Sequence, residues 1–181
     1  MRLPWGGTAD TGFLPNAHIN NVVLYGPTGR TSLEVGSEGN PYLVMRSGDY
    51  TLSNMAIATG NNVAADVAVY DATNLQAENV SIGTGMNSFG RLIINNSGGL
   101  LKADTILVGS QNGIGMMDIK GTSRVELSKR LVVDGMATTK VAVGNSATLK
   151  TPGTARLATE LLPAGANFVV LRGIPWLGVW H

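Results

Sequence analysis

The chain contains no cysteine and only two histidines, His18 and His181. The first absence excludes a disulfide framework and any zinc site built on thiolates. With two histidines so far apart a transition-metal site is not expected, a Ser/His/Asp constellation would need one of them beside a carboxylate, and no nucleophile-elbow motif is present. Charge is also scarce: 14% of 181 residues are charged, the net charge is +1, and no basic stripe forms. Nucleic acid is therefore not an expected partner. No apolar run is long enough for a signal peptide near Met1–Gly7. The most apolar stretch, Leu161 to Trp180, is broken by Pro163, Arg172 and Pro175. It reads as a broken β-hairpin, with strands at 167–172 and 176–180, and not as a membrane span.

Helical periodicity is missing too. No segment carries apolar residues at i, i+3, i+4 and i+7, and glycine interrupts nearly every ten-residue window. What is abundant is glycine itself, 24 residues, together with Asn, Ser, Thr and short aliphatic runs. That mixture, without a collagen period, describes many short strands joined by tight turns.

The strands repeat. Ile19, Val44, Val69, Ile94 and Ile119 are spaced by 25, as are Tyr25, Tyr50, Leu75, Leu100 and Val125. A third column, Ile57, Ile82, Val108 and Val133, advances by 25, 26 and 25. Each column sits in an alternating segment such as Val80-Ser81-Ile82 or Met117-Asp118-Ile119, the mark of a strand with one buried face. The connections carry Gly, Asn, Ser and Asp, which suit tight turns. The expected fold is all-β: a parallel β-solenoid with three short strands per coil of about 25 residues and about five coils. Such a stack would stand only ~25 Å tall. A further column, Asn54, Asn79 and Asp104, suggests an amide ladder between coils, ended by Lys129. Residues 1–16 form an expected N-terminal arm or cap, 17–151 the solenoid, and 152–181 a C-terminal cap or docking segment. Ala155 to Leu162 could hold a turn or two of helix.

The segments Val80-Ser-Ile-Gly-Thr-Gly, Gly90-Arg-Leu-Ile-Ile, Ser97-Gly-Gly-Leu-Leu and Ile106-Leu-Val-Gly resemble the passenger repeats of bacterial autotransporters. The resemblance covers roughly residues 31–150. It implies a right-handed β-helix displayed on a surface, a hand that parallel crossovers also favour. The chain departs from that family in showing neither a secretion signal nor a C-terminal membrane barrel. It is similar in this respect to bacteriophage virion proteins, which use β-helices in spikes, fibres and capsid decorations.

The expected function is therefore a non-enzymatic structural or surface-display module. A virion component that self-associates leads, and an autotransporter-type adhesin segment is the alternative. A carbohydrate-active β-helix is the enzymatic alternative, and it would need paired carboxylates ~5–9 Å apart. Asp104 and Glu78 are the nearest candidates; Asp118 has Ile93 one coil earlier and so forms no vertical pair. Gly83-Thr84-Gly85 and Gly98-Gly99 open no helix and read as solenoid turns, not phosphate loops. No catalytic, metal or cofactor residue is assigned. Expected interface residues are the aromatics outside the repeat, Trp5, Phe13, Trp176 and Trp180, and the aliphatics placed outward by the columns: Leu43, Ile93, Leu101, Leu107 and Val132. Expected partners are further copies of the chain, a trimer being one form, other structural proteins of a particle, and a cell-surface glycan. The expected location is a virion or other extracellular surface.

Overall fold

A computed structural model describes residues 22–25, 31–46, 49–110, 112–136, 138–144, 146–151 and 155–157. The described chain is all-β and forms two sheets wound into one solenoid. Strand β1 (Val22–Tyr25) is followed by β2 (Thr31–Val35) and β3 (Tyr42–Arg46). The coils continue with β4 (Asp49–Ile57), β5 (Ala64–Tyr70), β6 (Asn74–Ile82), β7 (Phe89–Asn95), β8 (Leu100–Val108) and β9 (Ile114–Ile119). The last coils hold β10 (Arg124–Val133), β11 (Lys140–Val143), β12 (Thr148–Lys150) and β13 (Ala155–Leu157).

The eight-stranded sheet runs β1-β2-β4-β6-β8-β10-β12, with β13 also on β10, and the five-stranded sheet runs β11-β9-β7-β5-β3. All pairings are parallel except β1 with β2, where Tyr25 faces Ser32 across an antiparallel ladder. Tyr25 therefore does not stack on Tyr50. Ala155–Leu157 is a strand, not a helix, because it extends the sheet against Leu131–Val133.

Each coil contributes two strands where three short ones were expected. The longer strand still supplies two inward faces. In β4, Tyr50 and Leu52 point inward, then Ser53 drops out of the ladder, and Met55 and Ile57 point inward after it. The side-chain alternation changes phase there, so the strand bends and wraps the core.

The inward columns hold the core. Ile57, Ile82, Val108 and Val133 stack as expected, with Val35 below them. Met45, Val69, Ile94 and Ile119 form a second column, and Leu43, Val67, Leu92 and Met117 a third. Ile94 is fully buried, and burial of a side chain of that size contributes ~1.5–3 kcal/mol.

Two expectations about facing are overturned here. Leu43 was expected outward, but it stacks inward on Val67, while Val44 stacks on Ala68 outside the core cluster. Met45 precedes Tyr50 by five residues, whereas Val69 precedes Leu75 by six, so the turn at 46–49 is one residue short. Leu101 was also expected outward, yet it stacks on Leu75 and Val125 and is fully buried, while Leu100 takes the outer position. The turn at 95–99 is one residue long, and β10 restores the register with a bulge between Leu127 and Arg130. A slip of one residue exchanges the two faces of a strand.

The extra residue in the 95–99 turn has a purpose. It lets Asn96 point into the stack at a corner, where its side chain donates to Thr73 O (2.5 Å) and accepts from Thr73 N–H (2.7 Å). Its own N–H donates to the Ser123 hydroxyl at 2.7 Å. Thr73, Asn96 and Ser123 are all fully buried, so three successive coils share one satisfied polar corner. The opposite corner follows Ile57, Ile82 and Val108, where Ala58, Gly83 and Gly109 all have positive φ, 54°, 66° and 78°. A Cβ on Gly83 would overlap the carbonyl of Ile114. Gly90 in turn must approach the backbone of Gly83 closely, so this corner packs backbone on backbone.

Candidate interaction surface

The outer faces of the two sheets differ. Long-strand positions that face out are mostly polar: Asp49, Thr51, Asn74, Gln76, Lys102, Arg124, Thr148 and Lys150 are all exposed. The five-stranded sheet instead presents Tyr42, Tyr70, Phe89, Ile93, Ile114 and Met116, all half-buried. They lie on neighbouring ladder positions, with Phe89 beside Ile114 and Arg91 beside Met116.

Charges and rings are organised within this face. Arg91 donates to Asp66 through both Nε (3.2 Å) and Nη2 (2.7 Å), one coil apart. This hydrogen bonding raises the Arg91 pKa, against the opposing effect of burial. Such a two-pronged contact fixes orientation as well as charge. Arg46 lies over the Tyr70 ring at 5.4 Å from its centroid and pairs with Asp71 at 3.2 Å. Burial raises the Tyr42 pKa, and the charge and hydrogen bonding of Tyr70 raise it further. Between the two tyrosines lie Val44 and Ala68, buried although they face away from the core.

Of the expected interface residues, Ile93 is on this face, between Ala68 and Asp118. Leu107 and Val132 are also half-buried and outward, but they pair with each other on the eight-stranded sheet. The outward aliphatics therefore do not form one patch. Leu43 and Leu101 belong to the core, and Trp5, Phe13, Trp176 and Trp180 lie outside the described residues. Phe89, Ile114 and Met116 were missed. Their signal was the pairing of an outward aromatic with outward aliphatics one coil away, which is visible only once the register is known.

Several other polar side chains of the surface bond from coil to coil. Asn79 donates to Asn54 (3.1 Å), and Asn54 donates to Ser32 (3.1 Å). The expected ladder thus exists, but its next member is Thr105, not Asp104, because the long turn shifts the register. Asp104 instead accepts from Ser128 and pairs with Lys129 at 2.8 Å. Asn74 donates to Asp49 (2.8 Å), Asn87 to Asn62 (3.4 Å), Thr59 to Glu34 (2.6 Å) and Thr122 to Ser97 (3.2 Å). Among the described residues, no group of three or more His, Asp or Glu is placed to hold a metal ion, and no helix is long and apolar enough to cross a membrane.

No protein-family model, no curated protein and no solved structure matches this chain.

Proposed function

We propose that this chain is a non-enzymatic structural module that self-associates, a building element of a virion or another external surface. The observation that carries the reading is the use made of the polar side chains. Thr59–Glu34, Asn74–Asp49, Asn79–Asn54, Asn87–Asn62, Arg91–Asp66, Arg46–Asp71 and Thr122–Ser97 each join residues 25 apart. Their hydrogen-bonding capacity is directed along the stack and not toward a shared point where a substrate could sit. An enzyme concentrates convergent groups in one place; here the coil-to-coil bonds recur from one coil to the next.

A second feature supports self-association. Phe89, Ile93, Ile114 and Met116 stand half-buried and close together on the outer face of the five-stranded sheet, apolar surface that a solitary rod in water would have reason to avoid. The likeness of the repeat to surface-displayed passengers supports the external setting. Sedimentation velocity over a wide concentration range tests the reading. A concentration-dependent or stable oligomer is expected. A strictly monomeric chain at high concentration would overturn self-association and leave an adhesin-type display rod as the successor reading.

A further inference from the structure

We propose that residues 11–15 form an antiparallel strand on the open edge of β3, so that one N-terminal segment caps both sheets of the first coil. The segment thereby has a direction, a register and a partner strand, whether or not the chain self-associates.

The edge calls for such a partner. Among the described residues β3 pairs with β5 and with no other strand. Asp66 N–H donates to Pro41 O. In a parallel ladder Leu43 and Met45 therefore turn their backbone groups toward β5, and Tyr42, Val44 and Arg46 turn theirs to the open side. Val44 also faces away from the core, yet it is only 2% exposed. Its N–H and C=O are thus aimed at an edge that is closed to water, and buried backbone groups are paired in folded proteins. The other end of the same sheet differs. On the edge strand β11, inward Val143 and outward Ala142 are both half-buried.

The chain before β1 is placed to fill the edge. β1 runs antiparallel to β2 with Val22 opposite Val35. The residues before Val22 therefore enter from the corner where β2 leads into β3. The link from β2 to β3 has six residues, 36–41, as have 58–63 and 83–88 in the next two coils. Six residues before Val22, 16–21, span the same corner in the opposite direction, and Asn16, Asn20 and Asn21 suit a turn there. That count sets Pro15 opposite Tyr42, Leu14 opposite Leu43, Phe13 opposite Val44, Gly12 opposite Met45 and Thr11 opposite Arg46. Residues directly opposite in an antiparallel pair share a face. Leu14 then extends the inward column of Leu43, Val67, Leu92 and Met117, and Phe13 shields Val44 on the outer face. Pro15, which has no N–H, falls at the end of an edge strand, a position that tolerates it. With both sheets of the first coil closed, copies of the chain cannot add strand to strand at this end.

The absence of cysteine makes a disulfide test direct. Phe13→Cys with Val44→Cys should close an intramolecular disulfide under mild oxidation, since opposite residues stand ~4.5–5.5 Å apart at Cα, within the span of a disulfide. Thr11→Cys with Arg46→Cys is a second pair in the same register and serves if Val44→Cys disturbs the fold. Leu14→Cys with Val44→Cys, one residue out of register, should stay largely reduced. Thiol titration and mass spectrometry read the link, and far-ultraviolet circular dichroism confirms that the variants are folded. Failure of both in-register pairs to close in folded chains, or equal closure with Leu14→Cys, would overturn the proposal. So would closure of Trp176→Cys with Val44→Cys, which would make the C-terminal segment the occupant. A disulfide between chains of Val44→Cys alone would do the same by making a second copy the occupant. None of these outcomes depends on the sedimentation result that decides self-association.

Discussion

Replacing Asn96 with alanine should destabilise the solenoid more than any other exchange of a single asparagine among the described residues. Its side chain makes two bonds to the backbone of Thr73, at 2.5 and 2.7 Å, and both residues are fully buried. A neutral hydrogen bond contributes about 1 kcal/mol net, but a buried donor or acceptor left without a partner costs ~1–3 kcal/mol. Asn96→Ala strands one of each, the N–H and the C=O of Thr73. The expected loss is therefore ~2–5 kcal/mol. Asn79→Ala is the control. It also removes a coil-to-coil amide bond, of 3.1 Å, but at an exposed position where water replaces the partner. Its cost should stay near ~0.5 kcal/mol. Urea unfolding followed by circular dichroism and by fluorescence measures both, and coincident transitions are needed before either value is read as a free energy. Asn96→Asp adds a pH test. Burial disfavours the carboxylate, so the folded-state pKa of Asp at this position rises above the unfolded value of about 3.9. The variant should be most stable below that value and lose stability as pH rises through the folded-state pKa. Loss of less than ~1 kcal/mol in Asn96→Ala, or equal losses at the two asparagines, would refute the view that this corner ties the coils together.

Three further outcomes follow from the geometry. Gly83→Ala should cost at least ~2 kcal/mol or prevent folding, since its φ of 66° disfavours a side chain and its Cβ would overlap the Ile114 carbonyl; Ala58→Gly, at φ 54°, should be neutral or stabilise by up to ~1 kcal/mol. Thermal unfolding of the two variants checks their opposite signs. Leu101→Ala should cost ~2–5 kcal/mol and Leu100→Ala less than ~1 kcal/mol, a contrast that chemical denaturation resolves and that the reverse ranking would sink. One tyrosine should ionise above 10 in an absorbance titration and vanish from the curve in Tyr42→Phe; because its folded-state pKa is raised, the stability linked to it is present below pH 10 and is lost as pH climbs through the folded value.

The parts of the fold that could be read directly are those where the turn length is constant. Ile57, Ile82, Val108 and Val133 were legible because the chain between them adds one residue at a single place, and the column itself shows the step of 26. Val44 and Leu100 were misplaced for the same physical reason. A turn one residue short at 46–49 and one residue long at 95–99 each exchange inside for outside, while aliphatic residues stand on both sides of the true position: Leu43, Val44, Met45 and Leu100, Leu101. Hydrophobicity alone cannot choose between adjacent aliphatics; only the ladder partner does. Asn96 was hidden differently. An asparagine in a glycine-rich turn looks the same whether its amide faces water or closes a buried corner. The antiparallel start at Val22–Tyr25 was missed because alternation reveals a strand but not its direction.

The same reasoning explains why the candidate surface was found only in part. Outward residues were inferred as the complement of the inward columns, so every register error became a false interface residue. Leu43 and Leu101 entered that way, while Phe89 and Met116 were passed over because their segments were read from their inward neighbours, Leu92 and Met117. Once the ladders are fixed, the outer face of the eight-stranded sheet is the more polar of the two, although Leu100, Leu107 and Val132 also lie on it. Each sheet face is a column set, and a change of one turn length moves a whole strand between core and surface. The outer face of a solenoid can therefore acquire a binding function one strand at a time, by substitutions that leave the inward column untouched. Tyr42, Asp66, Arg91, Met116 and Lys140 stand in register along one ladder position, five residues of unlike chemistry above a core that differs little from coil to coil.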